Sequence, residues 1–373
     1  MLVYLKNPLI FILILLVILS IIISKFYNNP LFLLIPIILF FINDLILHNF
    51  FNLDLYSSKM RTKAFYDAAN ITGDSYNNVD DNFSEGYYYD DKCISSKQAE
   101  YQKFDEFIKL LGIQKGDYVL DLGCGKGNLI NYLKKKGVHS YGVTISEEQY
   151  NLNKKRGNNI ILGDYTKFNK ELVNKFDFII STGSLEHIGS GNPSHLSVYN
   201  DKNETCKQLF KMIKKYFKKK SIHKKILIST LHINPKFINN WQTYVLERSY
   251  GGAFFLDKDK YTQADCLTSA GYNVSENKDL TYHYYFPSFC DKNHFGNPFP
   301  NTYKYLPYFL IYPITIYTII YQQFGLWMWM FDGKLHKPRD FECNENPDKC
   351  DLTFQSNKNK RPITLYWTIA QAN

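Results

Sequence analysis

The chain has 373 residues, long enough for a full α/β domain with additions, and a formal net charge of +9 that favours anionic partners. Its 30 Tyr and 28 Phe suggest extensive apolar contact surfaces, and its seven Cys include no C-x-x-C pair, which argues against a zinc ribbon or a thioredoxin-type site. The odd cysteine count, and the place of Cys124 inside a glycine loop, favour a reducing compartment.

Residues 8–24, PLIFILILLVILSIIIS, are almost wholly apolar, and a second apolar run extends from Pro30 to about Phe51, interrupted by Asn43, Asp44 and His48. About 20 such residues span a bilayer as a helix, so residues 1–52 are predicted to form a transmembrane hairpin. A cleaved signal peptide is the competing reading, but its basic region is only Lys6 and no small-x-small site follows Ser24. Lys59, Arg61 and Lys63 after the second run place the bulk of the chain on the cytosolic side. The predicted protein is therefore a multi-pass membrane protein with a cytosolic main domain. Residues 53–100, polar and aromatic, read as an approach or lid segment.

Tyr101, Phe104, Phe107, Ile108 and Leu111 recur at helix spacing after Ser95, and Gly112 ends the helix. The organising stretch follows, VLDLGCGKGN at 119–128. Val119, Leu120 and Leu122 form a short buried strand, Asp121 lies near its carboxyl end, and Gly123, Gly125 and Gly127 bring bare backbone to the start of the next helix. The G-x-G-x-G spacing differs from those of dinucleotide binders and phosphate loops. Next come strand HSYGVTI (139–145) with Thr144, Ser146 and Gln149 at its end, strand NIIL with Gly163-Asp164-Tyr165, and FDFIISTGSLEHIG (176–189) with Glu186 and His187. A basic stretch at 202–220 carries Leu209, Met212, Ile213 and Phe217 on one helical face and lysines on the other. It reads as a solvated outer helix or a contact for anionic head groups. Nucleic acid is not expected, because no second basic patch accompanies it. Strand five is predicted at 225–231, an amphipathic helix at 257–271, and strand six from Tyr272. Residues 304–331, rich in Tyr, Phe and Trp, read as helices lining an acyl-chain tunnel or lying in a membrane interface, with a true membrane span as the alternative, and 363–370 as the last strand. The domain boundaries so expected are 1–52, 53–100, 101–285 and 286–373.

The glycine loop with its preceding acid resembles motif I of class I S-adenosylmethionine (SAM)-dependent methyltransferases. More specifically, GVTISEEQ (142–149), GDY (163–165) and the F-D-x-I…E-H-I-G stretch resemble the cyclopropane-fatty-acid synthase family, which includes mycolic acid methyltransferases and fungal sphingolipid C9-methyltransferases. YGGAFF (250–255) loosely resembles a further loop of that family, and the resemblance covers roughly residues 85–285. It implies a Rossmann-like α/β methyltransferase domain, here with an N-terminal pair of transmembrane helices and an aromatic helical insertion near the C-terminus. It further implies SAM as cofactor, with Asp121, Gly123, Gly125, Gly127, Thr144, Gln149, Asp164 and Tyr165 around it. On the acceptor side it implies Glu186 and Tyr284 as parts of a site for a bicarbonate base, with His187 orienting the turn. The acceptor implied is a membrane lipid, at an unsaturated acyl or long-chain base carbon, reached from the bilayer.

The sequence departs from that family at two places. The family cysteine upstream of motif I aligns with Tyr87, and Cys93 is six residues later. The family histidine of strand five aligns with Ser229; His232 is three positions on, which on a strand reverses the side chain. Ring formation is thereby placed in doubt, whereas simple methyl transfer is not. A lipid head-group or small-amine N-methyltransferase and an inactive SAM-fold membrane scaffold stay open as alternatives.

Overall fold

The computed structural model describes residues 18–29, 84–89, 94–187, 199–236, 255–285 and 363–373, with residues 31, 35, 38, 42 and 243 singly. Among these, no helix is long and apolar enough to cross a membrane. The predicted hairpin over 1–52 lies largely outside the described residues, and the aromatic stretch 304–331 and the loop 332–361 lie wholly outside them.

Helix α1 (Ser96–Leu111) opens on a capping box: the Ser95 side chain accepts from the Gln98 N–H and the Gln98 side chain accepts from the Ser95 N–H. It stops at Gly112, which takes the left-handed conformation. Strand β1 (Tyr118–Leu122) then leads through the glycine loop into α2 (Asn128–Lys135) and β2 (His139–Thr144). Helix α3 (Glu147–Lys155), capped by the Ser146 side chain, leads to β3 (Asn159–Leu162) and on to β4 (Phe178–Thr182). Helix α4 (Tyr199–Ile213), β5 (Lys225–Ile233), β6 (Leu256–Asp257), α5 (Gln263–Ser269), β7 (Tyr272–Asp279), α6 (Thr281–Tyr285) and β8 (Ile363–Ala372) complete the order.

The strands form one sheet in the order β3-β2-β1-β4-β5-β8-β7. The first five are parallel, and β8 runs antiparallel between β5 and β7. β1, β4 and β5 are buried almost throughout because helices cover both faces. One apolar layer joins Phe210, Ile213, Tyr216 and Leu267; the other joins Phe107, Leu111, Leu133 and Trp367. Strand order reverses between β1 and β4, which opens a crevice at their carboxyl ends where open α/β sheets bind ligands. The α/β Rossmann-like reading therefore holds.

Two local expectations are corrected. The helix predicted over 257–271 is confined to Gln263–Ser269, because Leu256–Asp257 pairs with β5 and Thr262 makes its own capping box with Asp265. Phe217, expected on the basic helix's apolar face, lies beyond that helix in extended backbone and is buried in the first layer.

Candidate functional site

All three loop glycines take positive φ: +81° at Gly123, +52° at Gly125 and +79° at Gly127. The N–H groups of Gly123 and Cys124 both donate to the Val143 carbonyl, tying the loop to the end of β2. A Cβ at Gly123 would come within 2.5 Å of the Ser184 Cβ, whereas at Gly125 it would meet open space. Gly127, grouped with the cofactor contacts on resemblance, has a different task. It caps α2, and any Cβ there would overlap the Asn153 amide.

The other predicted cofactor residues converge. Asp121, Gly123, Gly125, Thr144, Gln149, Asp164 and Tyr165 line one cavity at the β1/β4 crevice. The Thr144 hydroxyl donates to Gln149 Oε1 at 2.6 Å, and both residues are buried. Asp164 Oδ1 accepts from the Thr166 backbone N–H and hydroxyl, which fixes the turn after β3. The Tyr165 hydroxyl donates to the Ser184 carbonyl at 2.6 Å, bridging the β3 and β4 turns across the cavity.

The cavity is electrostatically polarised. Burial pushes the Asp121 carboxyl up to about 7, although the nearby Lys103 ammonium favours its charged form. Lys103 is itself wholly buried, and desolvation lowers its pKa against the pull of Glu85, Glu100 and Asp121. Its Nζ donates to Ser84 Oγ at 2.5 Å and to the Glu85 carbonyl at 2.7 Å. Sequence reading missed Lys103, although a signal existed: Ala99, Lys103 and Phe107 are spaced by four, and all three are fully buried on one face of α1.

The residues expected on the acceptor side are placed as follows. Glu186 is buried on a single helical turn after β4; its Oε1 accepts from the Leu231 N–H at 2.5 Å. The Thr230 side chain stands beside the carboxylate, and Oε2 is buried with no hydrogen-bond partner among the described residues. Burial raises this carboxyl to about 7. His187 lines the cavity, its N–H donates to the Ser184 carbonyl, and burial lowers its pKa to about 4, so the ring is neutral at pH 7. Tyr284, on α6, is half-buried against the apolar layer of Phe107 and Trp367.

The departures from the family pattern acquire a structural meaning. Tyr87 stacks on His283 and Trp367, with ring centroids 4.3 and 5.4 Å away, so it is a packing residue. Ser229 donates its hydroxyl to Glu85 Oε1 at 2.6 Å, and Trp367 Nε1–H donates to the same oxygen at 3.0 Å. Glu85 is buried and lies close enough to Glu186 to raise that group's pKa further. His232 takes the Gln263 N–H on Nε2 and packs edge-on against Tyr366, away from this cluster, as strand alternation requires. Glu85 was absent from the sequence reading; its one signal is an acid directly before Gly86, ahead of an aromatic run.

The sequence profile described as "Mycolic acid cyclopropane synthetase" matches residues 56–286. The chain is 35% identical over 127 residues to the cyclopropane-fatty-acyl-phospholipid synthase of Escherichia coli K12, covering 32% of this chain and 31% of that protein. It is 33% identical over 110 residues to N-methyltransferase 4 of Papaver somniferum, covering 27% and 31% of the two chains. The chain thus spans about a third of the length of these curated relatives. Among solved structures it resembles mycolic acid cyclopropane synthase CmaA1 complexed with SAH and CTAB, with a TM-score of 0.55 at 17% identity over 84% of this chain and 98% of that one. With more than half its length matched by the family profile, the chain belongs to the mycolic acid cyclopropane synthetase family.

Proposed function

We propose that this protein is a SAM-dependent methyltransferase that methylates an unsaturated acyl or long-chain base carbon of a membrane lipid. The observation that carries this reading is the meeting, at one crevice, of the glycine loop, the Thr144–Gln149 pair and the Asp164–Tyr165 turn with a cluster of buried carboxylates alongside. The residues fit SAM. Open space over Gly125 admits a ligand against bare backbone, and Asp121 is a buried carboxylate suited to the cofactor's positive charge. Thr144 and Gln149 would hold the ribose hydroxyls, and Asp164 and Tyr165 the adenine. When bound, SAM supplies an electrophilic methyl group. The chain's own work is to bind, to align the acceptor and to exclude water, and alignment alone is worth several powers of ten in rate. His187, neutral and fixed by its N–H, shapes the turn that carries Glu186.

The residues do not fit bicarbonate as a second cofactor. Two buried carboxylates, Glu85 and Glu186, already face one another's field, and a third anion there would be repelled. Lys103, the buried cation nearby, is engaged with Ser84 and the Glu85 carbonyl.

Membrane access is supported by residues 18–26, a helical stretch that exposes Ile18, Leu19, Ile22 and Phe26, the last at 80%. The apolar runs around it are long enough for two spans, with the catalytic domain on the cytosolic side. An amine acceptor is the second reading, favoured by the carboxylate cluster, which suits a cation, and by the likeness to a plant N-methyltransferase. Incubating the full-length protein with SAM and membrane lipid extract, then analysing the lipids by mass, tests the proposal. A one-carbon gain in the hydrocarbon portion is expected; a gain confined to head groups selects the amine reading, and no gain with any lipid rejects both.

A further inference from the structure

We propose that Glu85 is the base of the reaction, a carboxylate built into the chain that takes the proton lost by the acceptor after methyl transfer. This rests on the carbon-methylation reading above. It assigns to the protein itself the task that the family resemblance gives to bound bicarbonate.

The placement of Glu85 is specific. Its segment is pinned at two points: Lys103 holds the Glu85 carbonyl, and the Tyr87 N–H donates to the Ala99 carbonyl of α1. Its side chain is turned inward, where Ser229 and Trp367, partners across β5 and β8, both donate to Oε1. Ser229 is in register with Thr182, and its carbonyl accepts the Gly183 N–H; Thr182 and Gly183 both line the cofactor cavity. Ser84, the residue before Glu85, lines it as well. The carboxylate is therefore anchored through one oxygen, one residue along the chain from Ser84 of the cavity lining and one strand across from Thr182.

Glu186 stands within its field, held through Oε1 by the Leu231 N–H, with Oε2 buried and unpartnered among the described residues. Bringing two carboxylates together in a dry site is unfavourable unless a proton or a transient positive charge comes between them. Methylation of an alkene carbon creates such a charge on the neighbouring carbon. In the proton step, a C–H bond adjacent to that carbon breaks and its electron pair forms the new C=C bond. If the proton comes from the added methyl, the pair forms the ring C–C bond instead. The proton forms an O–H bond on the Glu85 carboxylate, and the resulting acid returns it to solvent. Glu186, buried on the turn after β4, adds its carboxyl to the polar wall that faces this charge. Ser229 fits this arrangement because its hydroxyl donates to Glu85.

The test uses the full-length protein. In carbon-dioxide-depleted buffer, adding bicarbonate should change wild-type turnover by less than about twofold, and labelled bicarbonate should show no saturable line broadening by carbon NMR. Glu85→Gln should lower kcat about 100-fold or more with SAM affinity retained, and formate should restore part of the rate to Glu85→Ala, which a merely structural glutamate would not allow. A wild-type requirement for bicarbonate, saturable bicarbonate binding, or a Glu85→Gln enzyme with ordinary kcat would overturn the assignment. If Glu85→Gln fails to fold, the two wild-type bicarbonate measurements decide alone. A wild type inactive on every lipid but binding no bicarbonate defeats the methylation reading, not the exclusion of bicarbonate.

Discussion

The two halves of the crevice are built differently. On the β1–β3 side, contacts are short in sequence: Thr144 meets Gln149, and Asp164 meets Thr166. On the β4–β5 side, they are long: Glu85 meets Ser229 across 144 positions and Trp367 across 282. The first half is shaped by backbone geometry at glycine; the second by buried charge. On the proposed function, cofactor recognition rests on local turns, whereas acceptor chemistry rests on a cluster that exists only once the sheet has closed with β8.

Disturbing the glycine loop should have the largest effect. Gly123→Ala places a Cβ against Ser184 in a backbone conformation that costs about 1–2 kcal/mol for an L residue. SAM binding, measured by calorimetry, should fall below detection while the fold persists by circular dichroism.

Changes on the other side should spare SAM binding. Glu186→Gln removes a charge beside Glu85 and should lower kcat about 100-fold while SAM affinity changes less than about threefold. Equal losses in both quantities would show that the two halves are not separable.

Asp121 should couple SAM affinity to pH. Its carboxyl, raised to about 7 by burial, is protonated in the free protein below that pH, and the positive ligand favours the ionised form. Affinity should thus rise as pH increases, by at most about tenfold per unit below 7, and level off above it. The same shift means the free fold holds this proton better than the unfolded chain does. That contribution to stability is present at low pH and lost as pH rises from about 4 through 7. Lys103→Met should move the affinity midpoint upward, because the ammonium favours ionised Asp121.

The smallest effect is expected at Thr144→Val, which removes the 2.6 Å bond to Gln149 and should weaken SAM about fivefold, the worth of one hydrogen bond.

The difference between the halves also decides what was legible in the sequence. Strand periodicity, the Ser95 cap and the loop glycines are local signals, and α1, α2 and the strands β1 to β5 follow from them closely. The Rossmann-like class, and the grouping of Asp121, Thr144, Gln149, Asp164 and Tyr165 around one ligand, came from family likeness; the order of the sheet and the hydrogen-bond partners of these residues did not. Glu85 was not legible, and Lys103 only through its spacing with Ala99 and Phe107: a charged residue reads as exposed until the element that buries it is known. The partner that fixes Glu85, Trp367, sits on the last strand. Gly127 was legible as a loop residue but not as a packing one, since Asn153 reaches it from the next helix.

The most direct measurement is the fate of a labelled methyl group. Purified full-length protein, SAM carrying label in its methyl, and vesicles of unsaturated membrane lipid are incubated, and the lipid is then cleaved into head group and hydrocarbon. The account predicts label in the hydrocarbon fraction. Label in the head group alone, or in neither fraction, contradicts it.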